Sequence, residues 1–328
     1  MKLTIEEIKD FVTGAVEVEL RDGMFRFYRF APEQAERYLT VAKNEDFHLK
    51  TFATAGVRLE CVTDASALRF RFSARRCSSR QFCYINGYVD GEPAKTFGEG
   101  KVQDEYEGTF ELELPEGTHR VTVYLPNFYG MAIGEVELEN ATFAEPYNRK
   151  YTMVCYGDSI TQGYDAIQPA VSYVNVLADL LDAAPVDKGI GGDRFFPDLL
   201  EINDGVEPDL VTVAYGTNDW SGATREKFEE TMTGFMKGLA HRYPKSKIFV
   251  ITPIWRGNWQ DTTKKAGGFL QVSGEIKAEA EKYGFTVIEG MDLVPHDPAY
   301  FVADQLHPNE EGMKIYAEKL AEKMQKQL

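Results

Sequence analysis

Separate stretches of the sequence carry residues that could form a nucleophile and its base. Ser159 lies in GDSITQG, residues 157–163, directly after the apolar run TMVCY. Asp304 and His307 lie three residues apart in DQLHP, where Pro308 is placed to start a helix. A serine hydroxyl is a weak nucleophile until a base accepts its proton, and an imidazole base needs a carboxylate to fix its tautomer. The residue types therefore predict a Ser159–His307–Asp304 relay suited to acyl transfer.

Each of these motifs also has an ordinary structural explanation. A serine after a strand often caps the following turn, and Asp304 with His307 could cap a helix or bind a metal ion. A metal site would need further ligands, and the sequence has no second histidine-rich cluster to supply them. We therefore expect neither a metal nor an organic cofactor.

Acyl transfer also requires fixed donors for the oxyanion that forms at the attacked carbonyl. GIGGD, residues 189–193, is a loop with an exposed backbone, and YGTND, residues 215–219, follows the run LVTVA. The N–H of Gly192, the side-chain amide of Asn218 and the N–H of Ser159 could form this oxyanion hole. Taken singly, either segment is more typical of an ordinary turn at the end of a strand than of an oxyanion hole.

The second half of the chain has the periodicity of an α/β domain. Strand-like runs (TMVCYG, LVTVAYG, IFVIT and FTVIE) alternate with helix-like segments, which predicts parallel strands with helices on both faces. We place the helices at about 169–182, 225–243, 268–283 and 309–327. Thr224 can cap the second helix, and Gly284 can end the third. Ligands of such sheets bind beyond the carboxyl ends of the strands, where the GDSITQG and YGTND loops lie.

The first half has a different pattern. Short alternating or aromatic runs such as AVEVEL, LRFRF and HRVTVYLP are separated by Gly, Pro, Asp and Asn turns, as in an antiparallel β-sandwich. A short opening helix is expected near 5–13, because Ile5, Ile8 and Val12 would share one face. With 328 residues, two domains are expected: a β-sandwich over 1–148 and an α/β domain over 149–328.

Four blocks, GDSI, the Gly-Gly-Asp loop, GTND and DQLHP, resemble in this order the signature blocks of the SGNH (GDSL) hydrolases. The resemblance covers Tyr151 to the C-terminus and implies a flavodoxin-like three-layer α/β/α fold. It implies the same roles as the residue types, namely a nucleophile, two oxyanion donors and a base with its carboxylate: Ser159, Gly192, Asn218, His307 and Asp304. The family commonly has Asn in place of Asp187 and Ser in place of Gly191. Gly192 itself is unchanged, so these departures bear on the local hydrogen bonding of the loop more than on the activity.

A sandwich followed by such a domain is also similar to the jelly-roll plus SGNH arrangement of some carbohydrate esterases. This second resemblance implies a short acyl ester, above all an acetyl ester, of a sugar as the substrate. Asp158, Trp220, Trp255 and Trp259 are the candidate substrate contacts, since sugars stack on tryptophan rings. The alternative for the tryptophans is that they fill gaps between loops and sheet.

Other functions remain open at this stage. Within the enzymes, they are a general short-chain esterase, a thioesterase or a lysophospholipase-type acylhydrolase. From another class, the chain could be a carbohydrate-binding protein whose hydrolase half has decayed. The retention of every motif residue argues against decay.

The charge and the apolar pattern limit the partners. The formal net charge of −16 is spread along the chain and would repel nucleic acid. A basic cluster of Arg69, Arg71, Arg75, Arg76 and Arg80 begins on an alternating strand, and we expect it to form a solvated sheet face. We expect a small acylated substrate as the partner, with neither nucleic acid nor membrane, and self-association remains open.

The N-terminal and cysteine patterns indicate the compartment. The N-terminus lacks the apolar stretch of a signal peptide, and no window is apolar enough to span a membrane. Cys61, Cys77, Cys83 and Cys155 lack metal-type spacing and are expected to be reduced thiols. These features favour a cytoplasmic protein.

Overall fold

The computed structural model describes the backbone of residues 1–328 and every side chain except that of Ile5. The contribution of Ile5 to the predicted face of the opening helix therefore lies outside the described residues. Ile8, on the same predicted face, is fully buried. The helix is shorter than expected and ends at Phe11, because Val12 and Thr13 pair with a strand of the first sheet.

The first half consists mainly of antiparallel strands. Its helices are α1 (Ile5–Phe11), α2 (Pro32–Thr40) and α3 (Glu45–Lys50). Its strands are β1 (Val12–Thr13), β2 (Glu17–Arg21), β3 (Met24–Tyr28), β4 (Arg58–Thr63), β5 (Ala67–Arg76), β6 (Cys83–Val89), β7 (Glu92–Glu99), β8 (Glu105–Glu113), β9 (His119–Tyr124), β10 (Tyr129–Ile133), β11 (Glu137–Glu139) and β12 (Ala144–Pro146).

These strands form two sheets that share one apolar core. One sheet has the order β1-β4-β9-β6-β7 with β12 also on β4, and the other has the order β11-β5-β10-β3-β2 with β8 also on β5. The predicted alternation is present in β5, where Leu68, Phe70 and Phe72 are buried. They pack in the same cluster as Val121 and Val123 of the facing sheet. The prediction of an all-β sandwich is confirmed.

The second half contains one parallel sheet with helices on both faces. Its strands are β13 (Tyr151–Gly157), β14 (Ala183–Gly189), β15 (Leu210–Ala214), β16 (Lys247–Ile251) and β17 (Thr286–Ile288). Its helices are α4 (Ser159–Gln162), α5 (Tyr173–Leu181), α6 (Thr217–Gly222), α7 (Arg225–Arg242), α8 (Phe269–Lys282) and α9 (Glu310–Gln325). Short 3-10 helices lie at Pro169–Val171, Pro197–Glu201, Gly290–Asp292 and Pro298–Tyr300.

The strand order β14-β13-β15-β16-β17 confirms the flavodoxin-like arrangement. One apolar cluster packs α5 and α9 against the sheet, and a second packs α7 and α8 against its other face. The Thr224 hydroxyl accepts a hydrogen bond from the Lys227 N–H at the start of α7, as predicted. Gly284 follows α8 with a positive φ of 73°, a conformation that favours glycine.

Strand β14 was not predicted. Its sequence AAPVDKG contains a proline and two charged residues, which is unusual for a buried strand. It is an edge strand, where a proline is tolerated. Asp187 and Lys188 are buried against the first half of the chain, where Lys188 Nζ donates to Gln34 Oε1 at 2.8 Å. The polar pattern of β14 thus reflects its contact with the sandwich.

A fully buried arginine connects the two halves. Arg29 follows β3 and donates hydrogen bonds to the carbonyl oxygens of Lys50 and Ala53 in its own half. It also donates to the carbonyl oxygens of Asp187 and Gly189, at 2.8 and 2.7 Å. Because both carbonyls lie at the end of β14, Arg29 holds the start of the Gly-Gly-Asp loop against the sandwich.

The described residues contain no helix that combines the length and the apolar composition needed to cross a bilayer. The cysteine side chains are buried free thiols.

Candidate active site

The loop after β13 presents Ser159 at the carboxyl edge of the sheet. Asp158 caps α4 by accepting a hydrogen bond from the Ile160 N–H at 2.9 Å, and Ser159 is the first residue of that helix. A Cβ atom at Gly157 would lie 1.9 Å from the Thr161 Oγ1 atom. Glycine is therefore required for the strand to turn this sharply into the helix.

Ser159, His307 and Asp304 form one hydrogen-bonded row. The His307 Nε2 atom lies 2.8 Å from Ser159 Oγ, and His307 Nδ1 lies 2.6 Å from Asp304 Oδ2. An Nδ1–H that donates to Asp304 leaves Nε2 free to accept the serine proton. The hydroxyl and the imidazole come from segments 148 positions apart in the chain.

The backbone of the DQLHP segment fixes the orientation of Asp304. Asp304 Oδ1 accepts hydrogen bonds from the N–H groups of Leu306 and His307, at 2.8 and 3.0 Å. Partial burial raises the pKa of Asp304, but these backbone bonds and the bond from the His307 imidazole outweigh it and lower that pKa. Asp304 is thus a carboxylate at neutral pH and can stabilise a protonated imidazole.

The proposed oxyanion donors lie on the loops after β13, β14 and β15. Among the described residues, none accepts a hydrogen bond from the backbone N–H of Gly192 or of Ser159. The Asn218 side-chain nitrogen donates one hydrogen bond to the Asp193 carbonyl at 3.0 Å, which leaves its second N–H available. Gly192 has a φ of 92°, and this left-handed backbone favours glycine.

A cavity of about 710 Å³ lies against Gly192. One wall comes from the first half of the chain, including Phe47 of α3, and the other comes from residues 192–198 and α7. Phe47 is close to Gly192, since a Cβ atom there would lie 3.2 Å from its ring. Both halves therefore bound the space next to Gly192, while Ser159, Asn218 and His307 are not among the residues that line this cavity.

Buried carboxyl groups surround the base of these loops. Burial raises the pKa of Asp158, Asp193 and Asp219 to about 7 in each case. Asp158 is 2% exposed and caps α4, so the interpretation of Asp158 as a substrate contact is corrected. Its carboxyl group is occupied in shaping the nucleophile loop.

Two of the predicted tryptophan contacts also need correction. Trp220 is fully buried, donates its indole N–H to the Gly267 carbonyl at 3.1 Å and packs on Phe269. Trp255 is 7% exposed and packs on Phe301. A buried ring has no face open to a sugar, so Trp220 and Trp255 fill space between loops and sheet. Trp259 is half-buried, and its role as a substrate contact stays a prediction.

Asp187 and Gly191, the two departures from the resembled family, have defined contacts in the structure. Asp187 Oδ1 accepts a hydrogen bond from the Gly189 N–H at 2.7 Å and lies 3.7 Å from Arg29 Nη1. Gly191 packs directly on Tyr164, because a Cβ atom at Gly191 would lie 2.6 Å from ring atoms of that tyrosine. A serine at position 191 would therefore displace the tyrosine.

Sequence reasoning missed a second carboxylate at the imidazole. Asp165 Oδ2 lies 3.4 Å from His307 Nδ1, and Arg80 donates to both Asp165 oxygens at 2.7 Å. Arg80 lies in the loop after β5, so its assignment to a solvated sheet face was wrong. Asp165 lies two residues after the GDSITQG block, but no spacing rule connects it with an arginine 85 positions away.

Ligand atoms of Asp165, Asp304 and His307 lie within 4.8 Å of one another, a spacing that a metal ion could use. Each of these groups already has a protein partner, since Arg80 binds Asp165 and the His307 imidazole binds Asp304. In this arrangement His307 is paired with Asp304, and the charge of the neighbouring Asp165 is balanced by Arg80.

Comparison with known proteins gives the following relationships. Residues 155–315 match the GDSL-like Lipase/Acylhydrolase family. An acetylxylan esterase of Xylanibacter ruminicola is 25% identical over 204 residues, which are 52% of this chain and 42% of that protein. The chain thus spans less than half the length of this curated relative.

Two solved structures are similar over most of the chain. The salicylyl-acyltransferase SsfX3 from a tetracycline biosynthetic pathway has a TM-score of 0.77 at 23% identity, over 96% of this chain and 94% of that chain. A family two carbohydrate esterase from Clostridium thermocellum, in complex with cellohexaose, has a TM-score of 0.66 at 17% identity. The match covers 83% of this chain and 93% of that chain. At these identities the similarity establishes the fold.

Proposed function

Because residues 155–315 belong to the GDSL-like lipase/acylhydrolase family and form a serine hydrolase domain, we propose that this chain is a carbohydrate esterase. It removes a short acyl group, above all acetyl, from a sugar or oligosaccharide. The observation that carries the proposal is the row in which His307 Nε2 lies 2.8 Å from Ser159 Oγ. The acetylxylan esterase and the cellohexaose-bound esterase among its relatives support the carbohydrate as the alcohol part.

The proposed cycle has two halves. His307 takes the Ser159 proton as the hydroxyl oxygen attacks the ester carbonyl, and Asp304 stabilises the imidazolium. The tetrahedral intermediate collapses as His307 gives that proton to the leaving sugar oxygen, which forms an acyl-serine. Water then attacks the acyl-serine with His307 again as the base, and the products are the free acid and Ser159. His307 returns the proton to Ser159 in the last step, so the three triad residues end the cycle in their starting protonation states.

The oxyanion donors stabilise both tetrahedral intermediates. The proposed donors are the backbone N–H groups of Ser159 and Gly192 and the second side-chain N–H of Asn218. Their availability supports this assignment, since fixed donors that are not consumed by other acceptors stabilise developing charge most effectively.

The domain division is part of the proposal. We propose an accessory sandwich over residues 1–148 and a catalytic domain over 149–328. The last antiparallel strand ends at Pro146 and the first parallel strand begins at Tyr151, which supports a boundary between them.

The test of the nucleophile is Ser159→Ala. We expect loss of p-nitrophenyl acetate hydrolysis and of labelling by a fluorophosphonate probe, with an unchanged melting temperature. Ser273→Ala is the matched control, because Ser273 is a buried helical serine whose hydroxyl donates to the Phe269 carbonyl within α8. Undiminished hydrolysis or labelling in Ser159→Ala would remove Ser159 as the nucleophile. An unlabelled and inactive native protein would instead support a decayed carbohydrate-binding protein.

The substrate class is tested with a panel of esters. We expect the highest kcat/KM with acetylated xylo-oligosaccharides or acetylated monosaccharides, and lower values with acyl-CoA, lysophospholipid and aryl esters. A preference for acyl-CoA would identify a thioesterase. Equal values across the panel would identify a general short-chain esterase.

A further inference from the structure

Side chains of the sandwich hold Tyr164, which follows α4 of the hydrolase domain. The Tyr164 hydroxyl lies 2.7 Å from Ser78 Oγ, and Phe128 contacts the ring edge-on at a centroid distance of 5.0 Å. The guanidinium carbon of Arg80 lies 4.7 Å from the centre of the Tyr164 ring. Tyr164 is 5% exposed, so it occupies a fixed place between the two domains.

The fixed tyrosine stacks on the imidazole of the proposed base. The Tyr164 and His307 rings have a centroid distance of 5.7 Å and an interplanar angle of 28°. Gly191 supports the tyrosine from the Gly-Gly-Asp loop. Rotation of the imidazole out of its plane would therefore require movement of a ring that contacts both domains.

Two carboxylates lie near the Nδ1 atom of His307, and only Asp304 is hydrogen-bonded to it. Asp304 Oδ2 lies 2.6 Å from Nδ1, and Asp165 Oδ2 lies 3.4 Å from the same atom. The Asp165 side chain is 16% exposed, so little water screens it. Arg80 binds both Asp165 oxygens with its planar fork, a geometry that lysine cannot reproduce.

We propose that Arg80 of the sandwich is a positioning residue for the hydrolase reaction, holding Asp165 away from His307 Nδ1 and supporting the Tyr164 ring that stacks on the imidazole. This inference rests on the proposed function, because it concerns the same base. It also gives the sandwich a role, because Arg80 and the side chains that hold Tyr164 limit the movement of the His307 imidazole.

The loss of Arg80 has a specific expected consequence. In Arg80→Met, the released Asp165 carboxylate can accept the Nδ1–H, which turns the imidazole and moves Nε2 from Ser159 Oγ. A small displacement of a reacting group lowers rate strongly, so we expect kcat for p-nitrophenyl acetate to fall about 10–100-fold. KM should stay within about twofold, since Arg80 does not contact the proposed oxyanion donors.

The experiment compares variants of the full chain. Arg80→Lys keeps the charge without the fork and should lose less activity than Arg80→Met. Asp165 has a φ of 67°, which asparagine tolerates, so Asp165→Asn removes the competing carboxylate without backbone strain. Arg76→Met is the matched control, because Arg76 has 30% side-chain exposure against 29% for Arg80 and pairs with a single carboxylate, Asp104. It should keep kcat within about twofold.

The double variant Arg80→Met/Asp165→Asn is the decisive measurement. If the freed carboxylate causes the loss, removing it should restore kcat to near that of Asp165→Asn alone, a strongly non-additive result. A purely structural role for Arg80 would make the double variant no better than Arg80→Met. Melting temperatures identify any variant that fails to fold, and Arg80→Lys then replaces Arg80→Met in the cycle.

The results separate this inference from the proposed function. A native enzyme that is labelled at Ser159, with Arg80→Met as active as wild type, overturns the positioning role and leaves the esterase intact. A double variant that stays as slow as Arg80→Met also overturns it. Failure of the native protein to react with esters or probe overturns the proposed function itself.

Discussion

The parallel-sheet domain and the sandwich contribute to the candidate site in different ways. Every group proposed to react or to bind the oxyanion lies on a loop of the parallel-sheet domain, at Ser159, Gly192, Asn218, Asp304 and His307. The sandwich supplies none of these groups. The side chains of the sandwich bind the loops that carry these groups. This difference indicates that the sandwich restrains the movement of those loops.

One part of this restraint acts through Arg80 on Asp165, and another part acts on the Gly-Gly-Asp loop. Arg29 donates to the carbonyls of Asp187 and Gly189, and Lys50 Nζ donates to the Gly191 carbonyl at 2.8 Å. The Tyr38 hydroxyl donates to Asp193 Oδ2 at 2.7 Å. The DQLHP segment, in contrast, is fixed by its own backbone N–H groups. The Gly-Gly-Asp loop should therefore depend on the sandwich more than the DQLHP segment does.

The largest expected effect is the destabilisation of Arg29→Met. This change leaves buried carbonyls without a donor and a buried Asp187 without its cation, so we expect unfolding free energy to fall by about 3–5 kcal/mol. Urea unfolding followed by tryptophan fluorescence reports the α/β domain, because Trp220, Trp255 and Trp259 all lie there. Far-ultraviolet circular dichroism reports both domains.

Both signals should shift together in Arg29→Met if the domains unfold as one unit. Arg69→Met is the control: Arg69 forms an exposed pair with Glu111 at 2.6 Å, and its loss should leave both unfolding transitions close to those of the wild type. A fluorescence transition that does not move in Arg29→Met would show that the sandwich does not restrain the α/β domain.

The second-largest expected effect concerns Asn218, an oxyanion donor whose side chain is bound within the α/β domain. In Asn218→Ala one side-chain oxyanion donor is lost, and we expect kcat to fall about 10²–10³-fold with little change in stability. Steady-state kinetics with p-nitrophenyl acetate measures this. Ser221→Ala, on the same short helix, serves as the control, since its hydroxyl only donates to the Asn218 carbonyl at 3.3 Å. A loss below threefold in Asn218→Ala would remove Asn218 from the oxyanion hole.

The difference between features set by local sequence and contacts between the domains explains what the sequence could predict. The opening helix, the longer helices α5, α7, α8 and α9, four of the five parallel strands and the residues of the hydrogen-bonded row were named from periodicity and motif, whereas the short helices α2, α3, α4 and α6 were not predicted. Strand β14 was missed because Asp187 and Lys188 interrupt its apolar pattern. Asp187 meets Arg29 of the sandwich, and Lys188 meets both Gln34 of the sandwich and Asp204 of its own domain.

Long-range partners could not be found in the same way. Arg80 belongs to a basic cluster that resembles a solvated face, and its partner lies 85 positions away. Because Trp220 lies in the Asn218 segment, we predicted that it contacts the substrate. The short helix α6 instead turns its ring into the core. Periodicity gives no information on which side chains of one domain reach the other.

The smallest expected effect concerns the carboxyl at the meeting point of the domains. The Asp193 carboxyl accepts hydrogen bonds from Tyr38 of the sandwich and from Tyr215 of the α/β domain, at 2.7 and 3.3 Å. Burial raises its pKa to about 7 in the folded protein. The folded state therefore binds a proton that the unfolded state has released, and stability falls as pH rises through about 7.

Between pH 5.5 and 8.5 the Asp193 carboxyl should lower the unfolding free energy by about 2 kcal/mol. Asp304, whose pKa is lowered, stays ionised over this range and contributes no slope. Asp193→Asn cannot titrate and should remove this share of the slope, measured by urea unfolding at each pH. Asp22→Asn is the control, because the Asp22 side chain is 81% exposed and should leave the slope unchanged. An Asp193→Asn slope equal to that of the wild type would mean that the carboxyl is ionised in the folded protein, and the tyrosines would then bind an anion where the domains meet.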